Sequence, residues 1–302
     1  VTAGGAGATP GLYFRLVLMA ACWGGQIVAA RTVAPQLPPF TAGALRLAVA
    51  VVILLVLVRG LEGGLPRLNG RGLATMAALG FTGVFAWNAC FFPGLERVPA
   101  GRAALIMALN PIGTALAMRL VFGERLTRRR WLGIAAALAG AVVVISHGNL
   151  PSLFSGALGT GELLLFGTVI AWVSYTLIGR GALERLSPLA TTTWAALLGG
   201  AMLAAASVLE APWKAIAALP LTGWLSITYI GVFGTVVAFL FFSEGLRRIG
   251  PSRTAIFINF VPVFGVTFAA LFLGEPVLPS MIVGGLMVIG GVLLTTRPAR
   301  AV

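Results

Sequence analysis

The run ALRLAVAVVILLVLV, residues 44–58, holds a single charged side chain, and WLGIAAALAGAVVVI, residues 131–145, holds none. Extended by their neighbours, such runs reach the ~20 apolar residues that cross a bilayer. They recur along the whole chain with Gly, Pro and Arg between them. In hydrocarbon every backbone polar group needs an internal partner, so only helices and closed barrels span. A membrane barrel would read as segments of about 10 residues with alternating polarity, and that pattern is absent. Composition points the same way. The chain is 59% apolar and 10% charged, against roughly 45–50% and about 25% in soluble domains. An all-α integral membrane protein is expected.

The punctuation predicts spans at about 12–30, 40–58, 72–93, 101–122, 130–147, 161–180, 188–209, 219–242, 252–273 and 279–296, preceded by a flexible tail. The arginines test this count. With ten spans, one side receives Arg15, Arg59, Arg67, Arg71, Arg119, Arg125, Arg128, Arg129, Arg130, Arg180, Arg185, Arg247, Arg248, Arg253, Arg297 and Arg300. The other receives Arg31, Arg97, Arg102 and Lys214. Short basic loops stay cytoplasmic, so both termini are expected inside a cytoplasmic (inner) membrane. The same placement accounts for the net charge of +13 without nucleic acid as a partner.

Two spans break alike. LIMALNPIGTAL begins at Leu105 and TAIFINFVPVFG at Thr254. Proline removes a donor and clashes with the preceding turn, and a buried amide needs a partner. A shift of 151 residues superposes GLERVPAGRAALIMALNP, from Gly94, on GLRRIGPSRTAIFINFVP, from Gly245. The same shift pairs Gly80 with Gly231, Gly83 with Gly234, Gly123-Glu124 with Gly274-Glu275, and Gly133 and Gly140 with Gly284 and Gly291. Each repeat carries five spans, an odd number, so the second enters the membrane inverted, as in many transporters. The expected units are residues 1–156, with the tail, and 157–302. Pro111 and Pro262 then flank a central pathway as helix-break or gating elements, or are kinks satisfied by neighbouring helices.

With this duplication, CWGGQIVAAR in the first span, TAGALRLAVA in the second and GE closing the fourth and ninth, the chain resembles the drug/metabolite transporter superfamily. Within it, the chain is most similar to EamA-type exporters, and in length and aromatic interior to bacterial aromatic amino-acid exporters. The resemblance implies a pathway between the halves, lined by spans one to four and six to nine, with spans five and ten at the edge.

Candidate lining residues come from helical spacing. Trp23 and Gln26 share a face, as do Phe81, Phe85, Asn88 and Phe92, then Thr168, Trp172 and Tyr175, then Tyr229 and Phe233; Asn110 and Asn259 accompany the prolines. Rings in such stripes either pack against helices and lipid or line a cavity. The amides either bridge helices or face a substrate. Trp131 and Trp224, near span ends, fit the headgroup belts. Arg46 lies inside span two, where a charge is a functional hypothesis by default. It either snorkels to the interface or offers its fork to a carboxylate. Together Trp23, Gln26, Arg46, Asn88, Asn110, Trp172, Tyr175, Tyr229 and Asn259 describe a site for a flat neutral or zwitterionic substrate.

Absences narrow the class. The chain has no Asp, and its eight Glu fall near span ends, so no mid-depth carboxylate is evident to carry a proton or sodium ion. Cys22, Cys90 and His147 make no metal or catalytic spacing. No cofactor, metal or enzymatic chemistry is expected. The expected partners are a small-molecule substrate and the lipid bilayer, with monomer or homodimer left open. The expected function is export of small amphipathic metabolites, amino acids including aromatic ones, by alternating access. A carrier of another neutral metabolite or drug, or a non-transporting membrane scaffold, is the alternative.

Overall fold

The structure is a computed structural model describing residues 9–123, 127–149, 158–182, 185–249, 257–258 and 260–296. The expected tail at residues 1–8 and Asn259 fall outside the described residues, as does Glu124 of the first GE pair. Among the described residues every regular element is helical.

Helix α1 (Pro10–Val33) starts where the sequence provides a cap. The Leu12 amide donates to Thr9 Oγ1, and Pro10 sits in the first turn, where its missing N–H costs nothing. Helix α2 (Pro39–Glu62) also opens on proline and ends at Gly63, whose φ of 77° only glycine adopts without strain. Helix α3 (Gly70–Leu79) runs through a π-helical segment, Gly80–Ala86, into α4 (Trp87–Arg97). The fourth predicted span is two helices, α5 (Ala100–Met107) and α6 (Asn110–Phe122). Then follow α7 (Arg128–Ile145), α8 (Thr160–Ala182), α9 (Pro188–Leu209) and the short α10 (Trp213–Ala217). Helix α11 (Leu221–Tyr229) passes through a second π-helical segment, Ile230–Val237, into α12 (Ala238–Ile249). Helices α13 (Val261–Leu273) and α14 (Pro279–Thr296) complete the described chain.

The two prolines do not interrupt running helices. Pro111 and Pro262 sit in the first turn of α6 and α13, each beginning a new helix after a break. That position suits proline. Helices α6 and α13 have 13 residues each and close at Gly123 (φ 67°) and Gly274 (φ 65°).

Seven helices among the described residues are long and apolar enough to cross a membrane. The fifth, ninth and tenth predicted spans fall short of that measure for local reasons. Helix α7 opens on Arg128–Arg130, and Val261–Leu273 and Pro279–Leu294 are short apolar stretches. Large apolar side chains face outward, among them Leu120, Leu132, Leu209, Phe272 and Leu286. Exposed apolar surface of this kind suits lipid and would drive association in water.

Helices from the two ends of the chain interleave. Helix α1 packs on α12 and α13, α4 on α8, α2 on α9, and α7 on α14. Glycines set the closest approaches. A Cβ on Gly140 would stand 2.5 Å from the Gly284 carbonyl oxygen, one on Gly284 2.6 Å from that of Gly140, and Gly291 abuts the Gly133 carbonyl. Carboxylates from distant segments hold helix N-termini. Glu210 accepts from the Phe40 and Thr41 amides (3.0 and 2.8 Å) and from Thr41 Oγ1. Glu275 accepts from the Ala100 and Gly101 amides (2.8 and 3.0 Å). Ser187, which caps α9, donates to Glu62. Each contact satisfies orphan donors and places negative charge at the positive end of a helix dipole.

Candidate substrate pathway

Helices α1, α8 and α12 bring aromatic side chains into one chain of contacts. Trp23 meets Phe239 edge-on, with centroids 5.7 Å apart, and Phe239 meets Trp172 at 6.4 Å. Trp172 in turn lies 5.5 Å from Tyr175. The Trp23 indole N–H donates to the Gly234 carbonyl at 3.0 Å, so the polar edge of this ring is already satisfied. That carbonyl belongs to the second π-helical segment, whose altered winding exposes backbone that an α-helix would keep inside its own ladder.

Glycines make room for these side chains. A Cβ at Gly83 would collide with the Tyr175 ring, one at Gly234 with Gln26, and one at Gly25 with the Tyr229 hydroxyl. Gln26 is buried, and Tyr229 donates to the Cys22 carbonyl at 3.4 Å. Among the predicted residues, Trp23, Trp172 and Tyr175 therefore join one chain of rings through Phe239, while Gln26 and Tyr229 pack where α1 crosses the second π-helical segment and the end of α11.

Arg46 and Asn88 form a second polar locus where α2 meets α4. Arg46 is only 6% exposed, and its guanidinium carbon lies 5.2 Å from the centroid of Trp87. It is thus held inside the protein and does not snorkel to the interface. Its Nε has no hydrogen-bond partner among the described residues. Asn88 is fully buried. Its Nδ2 donates to the Val84 carbonyl at 2.6 Å, and its Oδ1 has no partner among the described residues. Asn110 Oδ1, at the head of α6, is likewise buried and has no partner among the described residues.

Along the expected stripe Phe81, Phe85, Asn88, Phe92, Phe81 stacks on Phe85 at 5.6 Å, Phe85 stacks on Phe40 of α2 at 5.4 Å, and Asn88 packs against Gly43 of the same helix. Exposure changes along it, from 51% at Phe81 to full burial at Asn88.

Three features escaped the spacing analysis. Phe239 links Trp23 to Trp172, and it is the residue reached from Asn88 by the 151-residue shift. Arg102 pairs with Glu162 at 3.0 Å and contacts His147 at 3.2 Å, with both charged groups largely buried. Glu162 also accepts from the Gly159 amide. Both residues open spans on the same predicted side, which was the available signal. The third feature is the pair of clefts at the opposite end. One, of about 490 Å³, is lined by Leu240, Phe241, Glu244 and Arg248, with Glu244 bridging Arg15 and Arg248. The other, of about 560 Å³, lies between α3 and α8 and is walled by Arg67, Arg71 and Arg185 among others. Among the described residues, neither cleft is lined by a predicted substrate residue.

The described geometry has a counterpart among known proteins. The model of the EamA-like transporter family matches residues 11–146 and 159–297. The chain belongs to the EamA-like transporter family. It is therefore a multi-pass membrane protein of a transporter family. It is 30% identical over 263 residues to the uncharacterized transporter YyaM of Bacillus subtilis, covering 87% of this chain and 86% of that protein. It is 29% identical to a probable terminal-alkyne amino-acid exporter of Streptantibioticus cattleyicolor, covering 83% and 82%. It is 28% identical to the uncharacterized inner membrane transporter YedA of Escherichia coli K12, covering 87% and 83%. A protein of known crystal structure superposes with a TM-score of 0.69 over 95% of this chain and 98% of the other, at 19% identity. This last likeness shows that the EamA member shares an experimentally observed fold.

Proposed function

We propose that this protein exports small amphipathic metabolites, amino acids including aromatic ones, across the cytoplasmic membrane by alternating access between two inverted five-helix halves, residues 1–156 and 157–302. The observation that carries the reading is the ring chain Trp23–Phe239–Trp172–Tyr175. It joins the halves at both ends: Trp23 of the first half meets Phe239 of the second, and Tyr175 of the second is seated on Gly83 of the first. A flat side chain fits between such rings by offset stacking, and relative movement of the halves parts them.

Several features support the ten-span inverted arrangement. The π-helical segments 80–86 and 230–237 and the helices 110–122 and 261–273 fall at matching places under the 151-residue shift. The family model divides into two stretches at the same midpoint. Glu62 and Glu210 serve helix starts in opposite halves reciprocally. The arginine bias supports both termini inside. The two clefts then open on the cytoplasmic side, and the Arg102–Glu162 pair closes the outer side, as in an inward-facing carrier.

The test is flux in proteoliposomes with a panel of phenylalanine, alanine, a purine and a quaternary ammonium dye. The expected result is saturable flux of phenylalanine, reduced by Trp172→Ala and Phe239→Ala in folded protein. Flux of the purine or dye alone would move the protein to another substrate class. Flux of none would favour a scaffold.

A further inference from the structure

We infer that Arg46 and Asn88 form a zwitterion subsite: the guanidinium takes the α-carboxylate of a free amino acid and the Asn88 amide oxygen takes its ammonium. The inference deepens the exporter reading and rests on it.

A buried charge is costly unless paired and hydrogen-bonded. Arg46 is 6% exposed, and no ion pair joins it to a carboxylate among the described residues. The face of Trp87 offers attraction but accepts no hydrogen bond from Nε. Asn88 presents the opposite need. Because Nδ2 is committed to the Val84 carbonyl, the atom left over is Oδ1, an acceptor. A ligand that satisfies both must bring an anion and an N–H donor together, as an α-amino acid does at neutral pH.

The two groups are brought to one place by packing. Arg46 lies on Trp87, the residue before Asn88. Asn88 in turn packs against Gly43, where an added Cβ would stand 3.2 Å from Asn88 Cβ, one turn before Arg46 on α2. Trp87 also belongs to the apolar cluster against which Trp172 and Tyr229 pack, so the apolar end of the same ligand has rings nearby. The repeat sharpens the argument. Under the 151-residue shift Trp87-Asn88 becomes Ala238-Phe239. One half supplies the amide where the other supplies the bridging ring, which gives a duplicated scaffold one polar side and one aromatic side.

The experiment is calorimetric binding to purified protein in detergent, using phenylalanine, its methyl ester, which lacks the carboxylate charge, and N-acetylphenylalanine, which lacks the ammonium. The wild type should bind phenylalanine at least ten-fold more tightly than either derivative. Arg46→Gln should weaken phenylalanine to the level of the ester while leaving the ester unchanged. Asn88→Leu should do the same relative to the N-acetyl compound. Arg46→Lys, which keeps the charge, guards against a folding defect and should retain part of the preference for phenylalanine over the ester. Equal binding of all three ligands, or an equal loss of all three in both variants, overturns the subsite. So does wild-type protein that binds none of them, and in that case flux of the purine or dye in liposomes would leave the transport reading standing.

Discussion

The Arg102–Glu162 pair is the most exacting arrangement at the level of single side chains. The Arg102 and Glu162 side chains are 12% and 7% exposed. Removing one partner strands the other charge, which typically costs about 3–5 kcal/mol. Glu162→Ala should therefore lower the unfolding midpoint in detergent markedly, whereas Glu96→Ala, whose pair with Arg97 is half exposed, should leave it nearly unchanged. Comparable midpoints for the two variants would contradict a structural role for the buried pair. Individual residues were unevenly legible in the sequence. The i, i+3 spacings of Trp23 with Gln26 and of Trp172 with Tyr175 were readable, because α1 and α8 keep regular α-helical winding at those positions. Burial of Glu162 did not follow, because a carboxylate in a first turn reads the same whether it faces water or a partner. Phe239 was missed because helical spacing compares neighbours on one helix, and its role depends on α1 and α8.

At the level of elements, breaks and windings matter more than helix lengths. Pro111 and Pro262 head α6 and α13 and cannot donate to the carbonyl one turn earlier. Alanine restores that donor and favours one continuous rod. Pro111→Ala and Pro262→Ala should each slow phenylalanine flux with expression and folding retained; unimpaired flux in both would mean that the breaks have no part in movement. The contact of α7 with α14 makes a contrasting case, since it lies away from the ring chain. Gly140→Val would drive a side chain into the backbone at Gly284, and overpacking commonly costs about 1–3 kcal/mol. The variant should unfold earlier, while flux per folded molecule stays near wild type. The positions of the elements were legible because Gly and Pro mark their ends, as at Pro39, Gly123, Pro188 and Gly274. The π-helical segments were not. They arise where backbone is drawn toward a neighbour, and nothing in GFTGVFA or IGVFGTVV alone separates them from α-helix.

For the whole molecule, helical class and membrane character were the most legible properties, because apolar runs recur along the chain. The proposed inverted duplication goes further. It predicts that a reporter active only in the periplasm stays silent when fused after Val302; activity there would reverse the orientation and undo the ten-span count. In liposomes, an imposed pH or Na⁺ gradient should not concentrate phenylalanine, since Glu162, the glutamate buried among the described residues, is committed to Arg102. Gradient-driven accumulation would require a coupling group elsewhere. The interlocked glycines of α7 and α14 also bear on how the molecule is made. Helix α7 ends at residue 145 and α14 begins at 279, so at about 5–20 residues per second the ribosome delivers the second roughly 7–27 s after the first. Throughout that interval the glycine-lined face of α7 is met by acyl chains alone. Helix α14 must displace them as it emerges, and a chain halted before α14 would present the quality-control proteases of the membrane with an unfilled groove along the helices already assembled.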